Sequence, residues 1–337
     1  MSSHEPRQRT VKTNGIELQV TEAGDPHNPT VVLAHGFPEL AYSWRHQIPV
    51  LVDAGYHVVA PDQRGYGNSS RPTAIDEYDV VSLCGDLVGL LDDLGKDEAV
   101  FVGHDWGSMV VWNLALLAPD RVRAVVGMSV PFSPRMPVPP LELMRNLAGD
   151  SFFYVLYFQE PGVADADLAA DPADTLRRML AGLTTGPSGK PSMEQLMSAS
   201  KGDDRGFVER LPEPEVLPDW LSQEELDHYV EVYERTGFTG GINWYRNFDR
   251  NWELTEHLTD AHVTVPSLFI AGSADPVLFM APPELGLDWL DDHRGDVIID
   301  GAGHWVQQEV PEPVNEALLG FLAGLDGPAP ATASEKA

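Results

Sequence analysis

Apolar and polar positions alternate in short runs over the first third of the chain. Residues 9–22 read as two strands around Asn14-Gly15, a dipeptide that favours a tight hairpin turn. Residues 30–34 and 56–60 are short β-rich runs ended by Gly or Pro, and residues 42–54 between them fit a helix. Over residues 78–94 the period changes: Val80, Val81, Leu83, Leu87, Val88, Leu90, Leu91 and Leu94 recur at helical spacing and stop at Gly95. A buried-type strand at 99–102, a helix over about 107–117 and a strand at 124–128 complete this half. Strands alternating with helices at this spacing predict βαβ units and a mostly parallel sheet covered on both faces.

The pattern breaks after Pro131. Residues 131–140 hold five prolines, and the next hundred residues lack strand-like alternation. Helical patterns recur at 141–147, 152–158, 176–180 and 226–233, joined by Pro/Gly/Ser stretches at 186–192 and 212–218. The α/β pattern resumes at 266–270 and 297–299, and a last helix is expected over about 312–325. The expected organisation is a core of residues 1–131 and 251–325, an inserted helical cap at 132–250, and a frayed tail at 326–337 that is too poor in large apolar residues to pack.

Charge narrows the partners. The chain has 337 residues, with 52 Asp or Glu against 22 Lys or Arg, a formal charge of −30. Such a surface repels phosphate backbones and anionic bilayers, which argues against nucleic-acid and membrane partners. No run of about 18 apolar residues is present, and the polar start MSSHEPRQRT has no apolar leader segment, so a cytoplasmic location is expected. A single cysteine, Cys84, excludes an internal disulfide and any cysteine-based metal cluster. Its place in a predicted helix with no basic neighbour in sequence reads as a buried structural thiol.

The chemistry concentrates at predicted strand ends. Val102-Gly103-His104-Asp105-Trp106-Gly107-Ser108 follows a strand and opens a helix, with glycines two before and two after Asp105. That is the pattern of a nucleophile elbow, with Asp in the place Ser usually occupies. No G-x-S-x-G occurs elsewhere in the chain. The substitution changes what can be attacked. A serine that displaced a group from saturated carbon would be left as an ether, whereas a carboxylate becomes an ester that activated water can hydrolyse. Epoxides and alkyl halides are the obvious electrophiles.

The second step needs a base and an orienter for it. Asp275 lies in Ala271-Gly272-Ser273-Ala274-Asp275-Pro276 after a late strand, and His304 lies in Gly301-Ala302-Gly303-His304-Trp305 after the last one. Both loops would stand at the carboxyl edge of the sheet beside Asp105, in the chain order nucleophile, acid, histidine. The backbone N–H groups of Phe37, in His35-Gly36-Phe37-Pro38, and of Trp106 are candidates for an oxyanion hole. Phe37, Trp106 and Met109 are candidate pocket walls. His35 and the turn Asp62-Gln63-Arg64-Gly65-Tyr66-Gly67 read as structural.

Two further motifs, Tyr157-Phe158-Gln159-Glu160-Pro161-Gly162 and Asn243-Trp244-Tyr245-Arg246-Asn247, join these. Together with His35-Gly36-Phe37-Pro38, Gly103-His104-Asp105-Trp106-Gly107, Asp275 and Gly303-His304-Trp305, they make the chain resemble the soluble epoxide hydrolases of the α/β-hydrolase fold over residues 9–325. The resemblance implies Asp105 as nucleophile, His304 as water-activating base and Asp275 as its partner. It implies that Tyr157 and Tyr245 reach from the lid to the epoxide oxygen, and that the bond before Pro38 is cis. Phenols, with a pKa of about 10, stay protonated at neutral pH and can donate to a forming alkoxide. The implied partners are a small apolar epoxide and water; a homodimer is left open, and no metal or organic cofactor is called for. Haloalkane dehalogenases share the catalytic core, so a haloalkane or haloacid dehalogenase is the alternative, with Trp106 as a halide donor.

Overall fold

The computed structural model describes residues 5–182 and 204–325. The stretch expected at 186–192 and the tail from 326 lie outside them. Eight strands form one sheet: β1 (Arg7–Thr13), β2 (Ile16–Ala23), β3 (Thr30–Ala34), β4 (His57–Pro61), β5 (Ala99–His104), β6 (Val122–Met128), β7 (Ser267–Gly272) and β8 (His293–Ile299). Their spatial order is β1-β2-β4-β3-β5-β6-β7-β8. The β1–β2 hairpin and the β2–β4 pair are antiparallel, and every pair from β4 to β8 is parallel. The hairpin turns on Asn14 and Gly15, with φ of 43° and 79°.

Alternate side chains of the central strands feed two cores, as the period of two requires. Val32, Ala34, Val59, Phe101 and Val125 pack with helices α2 (Val80–Leu94) and α3 (Trp106–Leu117). Val31, Leu33, Val58, Val102 and Val126 pack on the other face with α1 (Gln47–Asp53) and the last helix, Pro311–Ala323. Burial on both faces explains why β3, β4 and β5 read as continuous apolar runs.

Between β6 and β7 the described residues form helices and turns without a strand. They are α4 (Pro140–Ala148), α5 (Tyr154–Tyr157), α6 (Val163–Ala169), α7 (Pro172–Gly182), α8 (Gln223–Thr236), α9 (Thr239–Tyr245) and α10 (Phe248–Leu254). This segment is bonded to the loops at the carboxyl ends of β3 and β4. Tyr233 donates its hydroxyl to Glu39 O at 3.2 Å, and Trp244 Nε1 donates to Arg64 O at 3.1 Å. Among the described residues three α-helices follow β7: the short α11 (Val277–Met280) and α12 (Val306–Glu309), and α13 (Pro311–Ala323).

Three boundaries differ from the periodic reading, each for a local reason. The helix expected over 42–54 is a 3-10 turn, Ala41–Trp44, followed by α1. The helix expected from 78 starts at Val80, because the Asp79 side chain accepts the Ser82 N–H at 2.8 Å and caps it there. The helix expected over 152–158 contracts to the four residues of α5, since Phe153 is extended, with φ −138°.

Candidate active site

The elbow begins with backbone geometry. Asp105 follows β5 with φ 52° and ψ −119°, a region that non-glycine residues seldom occupy, and α3 starts at the next residue. Gly103 and Gly107 permit the turn. A Cβ on Gly103 would fall 2.6 Å from Ser108 N, and one on Gly107 would fall 2.6 Å from His35 O. The strand–helix reversal thus lifts the Asp105 carboxylate above the sheet edge.

Three loops converge on that carboxylate. Phe37 N donates to Asp105 Oδ1 at 2.8 Å, and the Phe37–Pro38 bond is cis. His304 Nε2 stands 3.6 Å from Asp105 Oδ2. On its other side His304 Nδ1 lies 3.1 and 3.0 Å from the two oxygens of Asp275, which is fully buried and also accepts the Val277 N–H at 2.9 Å. Contact with a carboxylate through Nδ1 leaves Nε2 as the nitrogen facing Asp105. Trp106 is the first residue of α3, so helix geometry leaves its N–H without an intrahelical partner.

The main chain of His304 is fastened as tightly as its ring. Its carbonyl accepts from Ser129 Oγ and from His104 Nε2, both at 2.7 Å. Glu309 takes the N–H groups on either side of it, Gly303 at 2.8 Å and Trp305 at 2.9 Å. His104 Nδ1 lies 2.6 Å from Glu39 Oε2. Burial opposes the Glu39 charge, but the His104 ring and the Gly36 N–H hold its pKa at about 2. Sequence reasoning did not single out Glu309 or Glu39. A carboxylate five residues after the histidine was the one available cue.

A cavity of about 50 Å³ opens over Asp105 and His304, with Phe37, Tyr154, Phe158, Phe207 and Tyr245 among its walls. Tyr245 stands edge-on to Phe37, Phe158 and Trp106, with ring centroids 5.6, 5.1 and 5.0 Å away.

The second phenol in the cavity is Tyr154. Tyr157, the residue expected there, points elsewhere: its hydroxyl donates to Asp167 Oδ2 at 3.1 Å, beside the Phe207 N–H that the same oxygen accepts at 2.6 Å. Burial and the Asp167 charge push the Tyr157 phenol up to about 12. Tyr154 lies one turn earlier on α5, packs against Phe158 and Tyr245 at 5.6 and 5.9 Å, and senses the charge of Asp105. Of the expected walls, Phe37 lines this cavity, whereas Trp106 and Met109 line a neighbouring one of about 190 Å³.

The titration of the site follows from these distances. Burial works against a charged His304, but the carboxylates of Asp275 and Asp105 outweigh it and hold the imidazole well above its ordinary value. Tyr154 and Tyr245 are both raised, by burial first and then by the negative charge of Asp105. Among the described residues no three His, Cys, Asp or Glu side chains converge as a metal site. No helix among them is long and apolar enough to cross a membrane.

A family model for the alpha/beta hydrolase fold matches residues 29–311. Epoxide hydrolase A of Mycobacterium tuberculosis (strain ATCC 25618 / H37Rv) is 60% identical over 95% of this chain and 98% of that protein. The chain belongs to the epoxide hydrolase family of the α/β-hydrolase fold. The crystal structure of epoxide hydrolase A from Mycobacterium thermoresistibile superposes with a TM-score of 0.91 at 60% identity, covering 95% of this chain and 99% of that one. An epoxide hydrolase from an endophytic Streptomyces gives a TM-score of 0.89 at 39% identity, covering 97% of each chain. Family membership agrees with the α/β-hydrolase fold and mostly parallel sheet expected from the sequence; the sheet has eight strands.

Proposed function

We propose that the protein converts epoxides to vicinal diols through an ester on Asp105, with residues 132–250 acting as the lid over the site. The observation that carries this reading is the pairing of a carboxylate nucleophile with two buried phenols in one cavity. Asp105 Oδ attacks an epoxide carbon, the carbon–oxygen bond breaks, and the departing oxygen takes its proton from Tyr154 or Tyr245. His304 Nε2 then removes a proton from water as that water attacks the ester carbonyl. The resulting oxyanion meets the N–H groups of Phe37 and Trp106. Collapse expels the diol oxygen, which takes the proton from the imidazolium, and the acid left on Asp105 returns its proton to the tyrosinate, so that carboxylate and phenol are both restored.

Charge and timing agree. In the free enzyme the Asp105 charge helps keep both phenols and His304 protonated. Ester formation consumes that charge, so the phenols become more acidic as the alkoxide appears. His304 also loses one of the anions that hold its proton, at the step where a base is required. The dehalogenase alternative needs N–H donors for a halide. Here the Trp106 ring packs edge-on against a phenol, Tyr245, and Phe37 has no side-chain donor. Assays with styrene oxide, chloroalkanes and fluoroacetate distinguish the two: the expected result is diol from styrene oxide and no halide. Halide release without diol would overturn the reading.

A further inference from the structure

A set of buried polar groups that the chemistry at Asp105 leaves unused joins helix α8 of the cap to the loops that carry His304 and Phe37. Glu225, Tyr229 and Tyr233 recur every four residues and so share one stripe of that helix. Glu225 Oε2 takes the Ser222 N–H at 2.8 Å and closes the start of α8, while its Oε1 takes Arg45 Nε at 2.6 Å. Tyr229, fully buried, donates its hydroxyl to Gln308 Oε1 at 3.2 Å and lies 2.7 Å from Ser43 Oγ. Arg45 Nη1 donates to the same Gln308 oxygen at 2.6 Å.

The other end of that amide faces inward. Gln308 Nε2 donates to Glu39 Oε1 at 3.1 Å, beside Gln307 Nε2 at 2.8 Å. Glu39 Oε2 holds the Gly36 N–H at 2.9 Å and His104 Nδ1 at 2.6 Å, and His104 Nε2 reaches the His304 carbonyl at 2.7 Å. Glu39 is fully buried, and among the described residues no Lys or Arg pairs with it. Its charge therefore depends on donated hydrogen bonds, which are costly to lose where water is excluded. An amide can present its NH₂ to Glu39 only while its oxygen faces the other way, and Arg45 and Tyr229 fix that oxygen. Gln308 also stands four residues after His304, on the segment that carries the base.

We infer that Gln308 is a positioning residue through which the seating of α8 on the core sets the pose of His304 and of the Phe37 N–H. The inference rests on the proposed ester at Asp105. It adds that hydrolysis of the ester, more than opening of the epoxide, depends on the contact of the cap at Tyr229 and Arg45. The nucleophile is largely spared, because the turn between β5 and α3 places Asp105 through its own backbone.

The test uses the full chain, styrene oxide and rapid quench, with Gln308→Met, Tyr229→Phe and the two combined. Gln308→Met keeps the length of the side chain but removes both ends of the amide. It should slow ester hydrolysis about tenfold, so that ester accumulates, and leave ester formation within about threefold. Tyr229→Phe should slow the same step about threefold and add nothing in the Gln308→Met background, since both changes break one path. Equal slowing of both steps would indicate general loosening of the cavity and overturn the inference, as would additive losses or unchanged hydrolysis. If Gln308→Met fails to fold, the single hydroxyl lost in Tyr229→Phe carries the test alone. NMR of the proton held between His104 Nδ1 and Glu39 gives a readout independent of Asp105. Its displacement in Tyr229→Phe supports the coupling whatever the chemistry at Asp105 does, and an unmoved resonance overturns it while leaving the ester route intact.

Discussion

The floor and the ceiling of the site are built by different physics. Asp105, Asp275 and His304 stand at the ends of β5, β7 and β8, and hydrogen bonds of 2.7–3.1 Å fix the backbone or carboxylate of each. Tyr154 and Tyr245 come from short helices and are held by edge-on aromatic contacts at 5.0–5.9 Å. A residue just after a parallel strand has little choice of place, because the sheet sets it. A residue on a four-residue helix is aimed by whichever neighbour captures its side chain.

The largest expected effects come from breaking the floor. Asp105→Asn should lower turnover by about 10⁴-fold or more, with no ester detected by mass spectrometry of the intact protein. His304→Gln should instead accumulate the ester, giving one equivalent of epoxide consumed without diol release. An ester absent from His304→Gln would remove the base from its assigned step.

The next test strikes the ceiling. Tyr154→Phe should slow ester formation by about 10²-fold or more, since a positioned acid contributes about 10²–10⁴. Tyr157→Phe should leave it within about threefold, because that phenol is spent on Asp167. The opposite ranking, read by stopped-flow fluorescence, would return the role to Tyr157 and undo the distinction between the two tyrosines.

Proton titration sharpens the link between the halves. The imidazole of His304 should titrate above 6.5 in the free enzyme and lower in Asp105→Asn, where one raising carboxylate is gone. NMR of the ring protons reads both values. Because the folded-state value is the raised one, its contribution to stability is complete below about pH 6.5 and lost as pH rises through the folded value. Unaltered titration in Asp105→Asn would disconnect the nucleophile from the base.

A smaller effect is expected at Glu309. Glu309→Gln turns one of the two oxygens that clamp the His304 loop into an NH₂ group facing an N–H. We expect kcat to fall about tenfold with KM unchanged, the signature of a displaced base, since a misplacement of about 1 Å can cost about 10²-fold. A matching rise in KM would point to general loosening of the cavity.

The floor was readable in the chain because its signals are local. A glycine-flanked Asp105 between a strand and a helix leaves few alternatives, and Asp275 and His304 follow strands that β-rich runs announce. Tyr154 was not readable, since it and Tyr157 lie three apart on a single turn beside Phe153 and Phe158. The choice between them is made by Asp167, ten residues on, and by the Phe207 N–H that shares its oxygen. Periodicity carries no information about such a contact. Trp106 and Met109, expected as walls of the catalytic pocket, are turned by α3 toward the neighbouring cavity.

The covalent route can be tested in one turnover. With enzyme in excess over epoxide in ¹⁸O-water, the account predicts a diol carrying only ordinary oxygen and an ¹⁸O label in the peptide containing Asp105. A labelled diol with an unlabelled Asp105 peptide would mean that water attacks the epoxide directly, and the ester mechanism would be wrong.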